Sequence, residues 1–561
     1  MTLRNVAIIA HVDHGKTTLV DQLLRQSGAF RANQAVAERA LDSGELERER
    51  GITILAKCTA VTWQETRINI VDTPGHADFG AEVERILGMV DGALLLVDAA
   101  EGVLPQTKFV LGKALARGLR PIVVLNKLDR PDARADAVAN EVFDLFAALG
   151  ASEVQLDFPL LYASGRQGWA DATADGPRRD LSALFSLIIS HVPPPAAPVD
   201  EPFAMLASIL ESDPFLGRVL TGRIEAGRAR RNMQLVVLRP GSSAEPVEIG
   251  RLTRLLSFRG LERVPVEEAE AGDIIALAGL EEATVADTIG AVEREAPLPA
   301  TPVDPPTLAM TFRINDGPLA GREGKKVTSR QIRERLFREA EGNVAIRVRD
   351  SEETEAFEVA GRGELQLGVL IETMRREGFE LTIGRPRVLT RRNPETGDLE
   401  EPMEEALADV DEPYAGVVVE KLSQRKGELS EMRPLPGHRI RLTFRIPSRG
   451  LIGYHGIFLT DTRGTGVMNR IFAGYGPWKG PIAGRTNGAL IATGEGVAVQ
   501  YALFYLQDRG ALFISPGERV YAGMIIGEHS RDNDLEVNPL KEKKLTNIRA
   551  AGKDEALLLI P

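Results

Sequence analysis

The sequence predicts a multidomain chain that runs from α/β through a small β-barrel to α+β. Three observations carry that expectation. Strand and helix signals alternate over residues 1 to about 192, the pattern of a doubly wound sheet with helices on both faces. From Phe203 to about Val292, short β-type runs punctuated by glycine, such as Gly222-Arg223-Ile224-Glu225-Ala226-Gly227, predict a barrel. After a proline cluster at Pro297–Pro306 the order strand, helix, strand, strand, helix, strand occurs once clearly and again, more weakly, between about Glu401 and Gly476. That is the order of a ferredoxin-like split βαβ unit.

The α/β region opens on the apolar run Val6-Ala7-Ile8-Ile9, which leads directly into Ala10-His11-Val12-Asp13-His14-Gly15-Lys16-Thr17. This is a phosphate-binding loop with Ala10 in the place of the first glycine, set between a strand and a helix as its chemistry requires. Leu19, Val20, Leu23 and Leu24 supply the helix's apolar face and Gly28 its stop. Backbone N–H groups and the positive helix end are suited to nucleotide phosphates, with Lys16 on the β/γ oxygens and Thr17 on Mg²⁺. A second apolar strand, Ile68–Val71, runs into Asp72-Thr73-Pro74-Gly75, where a strand-end carboxylate can hold Mg²⁺ and the Gly75 N–H can meet a γ-phosphate. A third, Pro121–Leu125, runs into Asn126-Lys127-Leu128-Asp129. Guanine presents two adjacent donors that the Asp129 carboxylate can accept together, so the expected nucleotide is GTP or GDP.

The 561-residue length is consistent with about three to five domains. Hydrophobic residues make up 43% and charged residues 26%, an ordinary globular composition. No apolar stretch reaches the ~18 residues of a membrane helix, and the first apolar run is too short for a secretory signal; the expectation is a cytoplasmic chain with no membrane partner. The single cysteine, Cys58, excludes an intrachain disulfide and a multi-cysteine metal site and reads as an inert strand residue. A net charge of −12 excludes coating of nucleic acid by bulk charge, so any RNA must meet local basic patches.

Between the first two motifs lies the charged segment Glu45–Thr53, with little apolar periodicity. It reads either as a solvated loop or as a switch that orders when Thr53 meets Mg²⁺ and γ-phosphate. The second reading is favoured by Arg50-Gly51-Ile52-Thr53. Together with the phosphate loop, Asp72-Thr73-Pro74-Gly75-His76 and Asn126-Lys127-Leu128-Asp129, it resembles the GTPase domain of translational GTPases, relatives of elongation factors Tu and G.

The resemblance implies that His76 positions the attacking water, flanked by the apolar pair Val12 and Ile52, and that the catalytic set is His76, Thr53, Lys16 and Asp13. It implies nucleotide contacts from Asp13, His14, Gly15, Lys16, Thr17, Thr18, Gly75, Asn126, Lys127 and Asp129, and Mg²⁺ held by Thr17, Thr53 and Asp72. A fifth guanine element, usually Ser-Ala, corresponds to Ser164-Gly165, a looser loop that keeps its backbone contact to the base.

His191–Pro198 is a stiff linker. Within the first α+β unit, Thr328-Ser329-Arg330-Gln331 starts a helix with a capping box, Val344–Val348 alternates as a strand, and a second helix runs from the Gly361–Leu365 segment to about Glu377. The two units resemble the third and fifth domains of elongation factor G, and nothing corresponds to its fourth. Ile446–Gly453, Gly464-Thr465-Gly466, Gly484–Gly488, Leu506–Gly510 and His529–Leu535 resemble the TypA/BipA branch of the family. The expected domains are therefore a GTPase domain at 1–195, a β-barrel at 200–298, ferredoxin-like domains at 303–388 and 395–478, and a family-specific carboxyl-terminal domain at 479–561.

Lys541, Lys543, Lys544, Asn547, Arg549 and Lys553 form a basic run that reads as a solvated loop by itself. The resemblance implies a loop that contacts ribosomal RNA or the tRNA acceptor arm. The implied function is a monomeric, ribosome-binding GTPase using GTP and Mg²⁺, active in translation or in ribosome assembly under stress. Two alternatives stand beside it: an assembly factor in which hydrolysis only drives release, and a LepA-type factor.

Overall fold

The structure is a computed structural model and describes residues 2–11, 13–28, 45–50, 53, 56–74, 80–213, 215–240, 245–300, 306–343, 345–435, 438–482, 487–542 and 559–560. It divides into two compact units: Met1–Asn315, Gly321–Ser423 and Gly427–Trp478 form one, and Asp316–Ala320, Gln424–Lys426 and Lys479–Pro561 the other.

The first unit begins with β1 (Thr2–Ala10), α1 (Lys16–Gln26), α2 (Glu45–Arg50), β2 (Lys57–Trp63), β3 (Thr66–Asp72), α3 (Gly80–Leu87), β4 (Gly92–Asp98), α4 (Pro105–Ala116), β5 (Arg120–Asn126), α5 (Ala135–Ala148), α6 (Glu153–Leu156), β6 (Leu160–Ser164), β7 (Trp169–Asp171) and α7 (Ser182–His191). The strands form one sheet in the order β2-β3-β1-β4-β5-β6-β7, parallel except where β2 and β7 pair at its edges. Because side chains alternate across a strand, Val6, Ile8 and Ala10 pack with Leu19 and Leu23 of α1 and with Phe185 and Ile188 of α7, while Ala7 and Ile9 join Val83, Leu111, Val142 and Phe146 on the other face. The four apolar residues of α1 are fully buried, each worth roughly 1.5–3 kcal/mol, and Gly28 follows the helix at φ +75 as its stop. Parallel pairing leaves the carboxyl ends of β1, β3, β4, β5 and β6 along one edge of the sheet.

The charged segment before β2 is a short helix rather than a loop over Glu45–Arg50. Its composition favours helix at every position, and one and a half turns need no apolar stripe, so periodicity gave no sign of it. Glu47 turns inward, with Oε2 2.6 Å from Lys57 Nζ, and Glu49 accepts a hydrogen bond from Arg376 Nη2 at 2.5 Å.

The barrel sheet has eight strands in the order Glu248–Arg251, Gln234–Leu238, Thr288–Ala291, Ala204–Asp213, Gly217–Ala226, Ile274–Ala278, Arg254–Arg259 and Glu262–Pro265, every neighbouring pair antiparallel. It shares a core with the first sheet through Val219, Leu256, Phe258, Ile274 and Ala276. Around that seam Asn5 Nδ2 donates to Gly272 O (2.8 Å) and Asp91 Oδ2 (2.9 Å), Arg223 meets Asp91 Oδ1 (2.9 Å), and Asp273 accepts from Arg67 and Asn69 (both 3.1 Å). Burial lifts the Asp91 carboxyl above its ordinary range, partly offset by Arg223 and Asn5. Cys58 lies on β2 at the same seam, where burial and the neighbouring Glu211 push its thiol up to about 12. That is the inert cysteine expected.

Both α+β regions have the same topology. In the first, Leu308–Ile314, Arg347–Asp350, Ala356–Gly361 and Leu381–Ile383 lie in the order second, third, first, fourth, with helices Ser329–Gly342 and Glu364–Arg376. In the other, Leu399–Asp411, Glu428–Leu435, Arg439–Pro447 and Val467–Pro477 repeat that order, with helices Glu412–Gln424 and Tyr454–Asp461. The capping box forms as expected between Thr328 and Gln331. The strand expected from Val344 begins only at Arg347: Asn343 takes the N–H groups of Ala345 (3.1 Å) and Ile346 (2.9 Å), so those residues are spent on a turn. Val344 itself lies outside the described residues.

Arg449, in the Ile446–Gly453 segment, makes a bidentate pair with fully buried Glu401, Nη2 lying 3.0 Å from Oε1 and Nε bonding Oε2, while its guanidinium stacks 3.8 Å from the Trp478 ring. Truncating one partner of such a pair leaves a buried charge uncompensated. Arg449→Ala is expected to destabilise this domain by about 3–5 kcal/mol, and the apolar pair Glu401→Met with Arg449→Met to recover most of it. Hydrogen exchange on Leu399–Asp411 measures both.

In the second unit, Gly510–Leu512, Ile525–His529, Ala489–Ala492 and Leu535–Val537 form a four-stranded sheet around Leu490, Leu503, Ile526 and Val520. Among the described residues no helix is long and apolar enough to cross a membrane.

Candidate nucleotide site

The site is built where the parallel strands end. α1 starts at Lys16 with Gly15 as its N-cap at φ +91, and a Cβ on Gly15 would stand 2.5 Å from Asn126 Nδ2. Conformation and close approach both require glycine there. His14 is fully buried; its carbonyl accepts from Asn126 Nδ2 at 2.8 Å and its Nδ1 accepts from the Asp98 N–H at 3.3 Å. Lys16, 7% exposed, donates to the Thr73 carbonyl and holds Nζ 3.2 Å from Oδ1 of the fully buried Asp72. The Thr73 hydroxyl donates to Ile8 O at 2.8 Å and fastens that turn to β1. Thr17 is half-buried in the first turn of α1, Thr53 is buried, and Asp13 and Thr18 are exposed, Asp13 at φ 64.

At the base-recognition end Asn126 is the hub. Besides its bond to His14, its Oδ1 accepts the Gly165 N–H at 2.8 Å. Asp129 keeps an exposed carboxylate whose Oδ1 accepts the Ser164 hydroxyl at 2.7 Å, and the Leu128 N–H bonds Ala163 O at 3.1 Å. Two residues that the sequence assigns to the base have protein partners here. The Gly165 N–H points at Asn126 rather than standing open to a base, and a Cβ there would have only ordinary contacts, the nearest Asn126 Oδ1 at 3.4 Å, so glycine is not required. Lys127, at φ 63, is tied to Asp98, with Nζ 2.8 Å from Oδ2.

Sequence reasoning passed over Asp98, Glu101 and Arg130, which join this network. Arg130 Nη1 lies 3.3 Å from Asp98 Oδ2, and Glu101 Oε2 lies 3.6 Å from His14 Nε2. The neighbouring His14 ring holds the Glu101 carboxyl below its ordinary range, against the opposing pull of burial. The signal was available: Leu94-Leu95-Leu96-Val97-Asp98 has the same form, an apolar run ending in a carboxylate, as the run before Asp72. Val12, Ile52, Gly75, His76, Lys543, Lys544, Asn547, Arg549 and Lys553 lie outside the described residues, and Lys541 is exposed.

Family models agree with this layout. Elongation factor Tu GTP binding domain matches residues 1–194, Elongation factor Tu domain 2 matches 217–290, Elongation factor G C-terminus matches 398–486, and TypA/BipA C-terminal domain matches 487–561. A crystal structure of a Thermus thermophilus protein aligns with a TM-score of 0.58 at 18% identity, over 85% of this chain and 97% of that one, a likeness of fold alone. Proteins named large ribosomal subunit assembly factor BipA are similar throughout: that of Synechocystis is 51% identical over 100% of this chain and 93% of its own length, that of Escherichia coli K12 51% over 100% and 91%, and that of Bacillus subtilis 49% over 99% and 90%. With a GTP-binding domain at its head, the carboxyl-terminal domain of that branch at its tail and half its residues shared over its whole length, this chain belongs to the TypA/BipA family of translational GTPases.

Proposed function

We propose that this chain is a ribosome-associated GTPase that binds in its GTP form, hydrolyses GTP in response to the ribosome and leaves with GDP, serving assembly of the large ribosomal subunit. The observation that carries the reading is the Asn126 hub, which couples a phosphate loop to a base loop with an exposed Asp129 carboxylate. The ribosome enters through the names of the relatives. The five domains proposed keep the bounds expected from the sequence, in a monomeric, cytoplasmic chain.

Asp129 accepts the two guanine donors while the Ser164 hydroxyl fixes its orientation. The Asn126 bonds hold the phosphate loop at a set distance from that carboxylate. Lys16, already desolvated beside Asp72, meets the β/γ oxygens in a low-dielectric setting where its charge counts most. Asp13, His14, Gly15, Thr17, Thr18 and Gly75 complete the phosphate contacts. Thr17, Thr53 and Asp72 are hard oxygen donors that would hold Mg²⁺. With two hydroxyls and one carboxylate, the set suits a small hard cation that takes its remaining oxygens from phosphate and water. When bound, Mg²⁺ neutralises charge on the β/γ oxygens. His76 orients the attacking water, and positioning with electrostatic stabilisation is most of what phosphoryl transfer asks of a protein. Lys541, Lys543, Lys544, Asn547, Arg549 and Lys553 contact RNA phosphates, including ribosomal RNA and the tRNA acceptor arm.

The test is GTP turnover by the full chain with and without ribosomes at low and moderate salt. Slow intrinsic turnover and stimulation that fades with salt are expected, with stimulation cut about 10²-fold in His76→Ala at unchanged GTP affinity. Fast turnover indifferent to ribosomes would overturn the reading.

A further inference from the structure

Asp98 ends β4, between the strands that carry the phosphate loop and the base loop. Its backbone N–H donates to His14 Nδ1 at 3.3 Å. Its carboxylate is fully buried; Oδ1 accepts the N–H groups of Ala100 (2.7 Å) and Glu101 (3.2 Å), and Oδ2 meets Lys127 Nζ (2.8 Å) and Arg130 Nη1 (3.3 Å). Burial alone would raise its pKa, but the Lys127 hydrogen bond, the two backbone donors and the Lys127 charge outweigh it and hold the carboxyl below its ordinary range. The adjoining turn is laced to the base loop as well: Ala99 N donates to Asn126 O at 2.9 Å and Arg134 N to Ala99 O at 2.8 Å.

We infer that Asp98 is a positioning residue for guanine selection: by anchoring Lys127 and Arg130, the residues two before and one after Asp129, it presets the Asp129 carboxylate against the phosphate loop. Lys127 sits at φ 63, a conformation costly to a non-glycine residue, so the loop needs an anchor to stay there. With Asp98 in place, the base loop is ordered before nucleotide arrives and binding need not order it. Without it, Lys127 has no buried anion beneath it, and Asp129 must be drawn into register by the base itself.

This rests on the GTPase reading, and the experiment separates the two. Dissociation of GDP and GTP and the preference for GTP over ITP, which lacks the guanine 2-amino group, are measured for the wild-type chain, Asp98→Asn, Lys127→Met and the double variant. Wild-type selection of GTP tests the reading. For the inference, Asp98→Asn is expected to release GDP and GTP about tenfold faster and to lower GTP-over-ITP preference at least threefold, and the double variant to do little more than Lys127→Met alone, since contacting residues are not additive. A folded Asp98→Asn with unaltered release and preference, or additive effects in the double variant, would overturn it. Should Asp98→Asn not fold, Arg130→Gln at the half-exposed end of the same cluster must lower the preference in the same direction, and no change there would equally overturn it.

Discussion

Asp129→Asn is expected to lower affinity for GTP and GDP by about 10²–10⁴-fold, the loss of two hydrogen bonds to a charged acceptor at about 1.5–3 kcal/mol each, and to create affinity for xanthine nucleotides. The geometry says which atom changes sign. Asp129 Oδ1 is held by the Ser164 hydroxyl at 2.7 Å, so in the variant the amide oxygen keeps that place and the amide nitrogen replaces the other oxygen, facing the base. There it donates to the xanthine O2, where guanine carries its amino group and would oppose donor to donor. Competition of GTP and XTP against a fluorescent GDP measures the exchange, and unchanged GTP affinity would refute the assignment.

Gly15→Ala is expected to cost about tenfold to 10²-fold in affinity for GTP and GDP alike. The added Cβ would lie 2.5 Å from Asn126 Nδ2 at a backbone φ of +91. A flexible side chain could step aside; Asn126 is buried and bonded to His14 O and Gly165 N, so it moves only by giving up a bond. Left-handed strain of about 1–2 kcal/mol and a lost hydrogen bond of about 1 kcal/mol add to roughly that range. Equilibrium titration with labelled GDP and GTP checks it, and Gly165→Ala is the control, expected to be nearly neutral because its Cβ meets nothing closer than 3.4 Å.

What could be read from sequence follows from how the site is made. The phosphate loop and the Asn126–Asp129 loop are local: their function depends on residues within eight positions and on the strand before them, so spacing alone identified them. The capping box at Thr328 is local in the same sense. Asp98 went unseen because its importance comes from strand order, which brings β4 between β1 and β5. The tie between Lys127 and Asp98 went unseen as well, because no spacing rule announces a carboxylate twenty-nine residues upstream as its partner. Arg449 lay inside a segment noticed for its resemblance, and the reason for an arginine there, buried Glu401 forty-eight residues earlier, needed the folded strands to be visible. The helix at Glu45–Arg50 was hidden for a different cause, since its sequence carries no apolar stripe and the described side chain it buries is charged Glu47.

The chain's one cysteine has a consequence for watching this molecule move. With its thiol pushed up to about 12, Cys58 offers maleimide chemistry at pH 7.5 about 10³-fold less thiolate than an ordinary surface cysteine would. A dye attached through a cysteine engineered elsewhere would therefore mark that site almost exclusively. Maleimide labelling of the unaltered chain at pH 7.5 is therefore expected to leave it almost unmarked, which would make it a background for single-molecule fluorescence with no substitution at the seam between sheet and barrel.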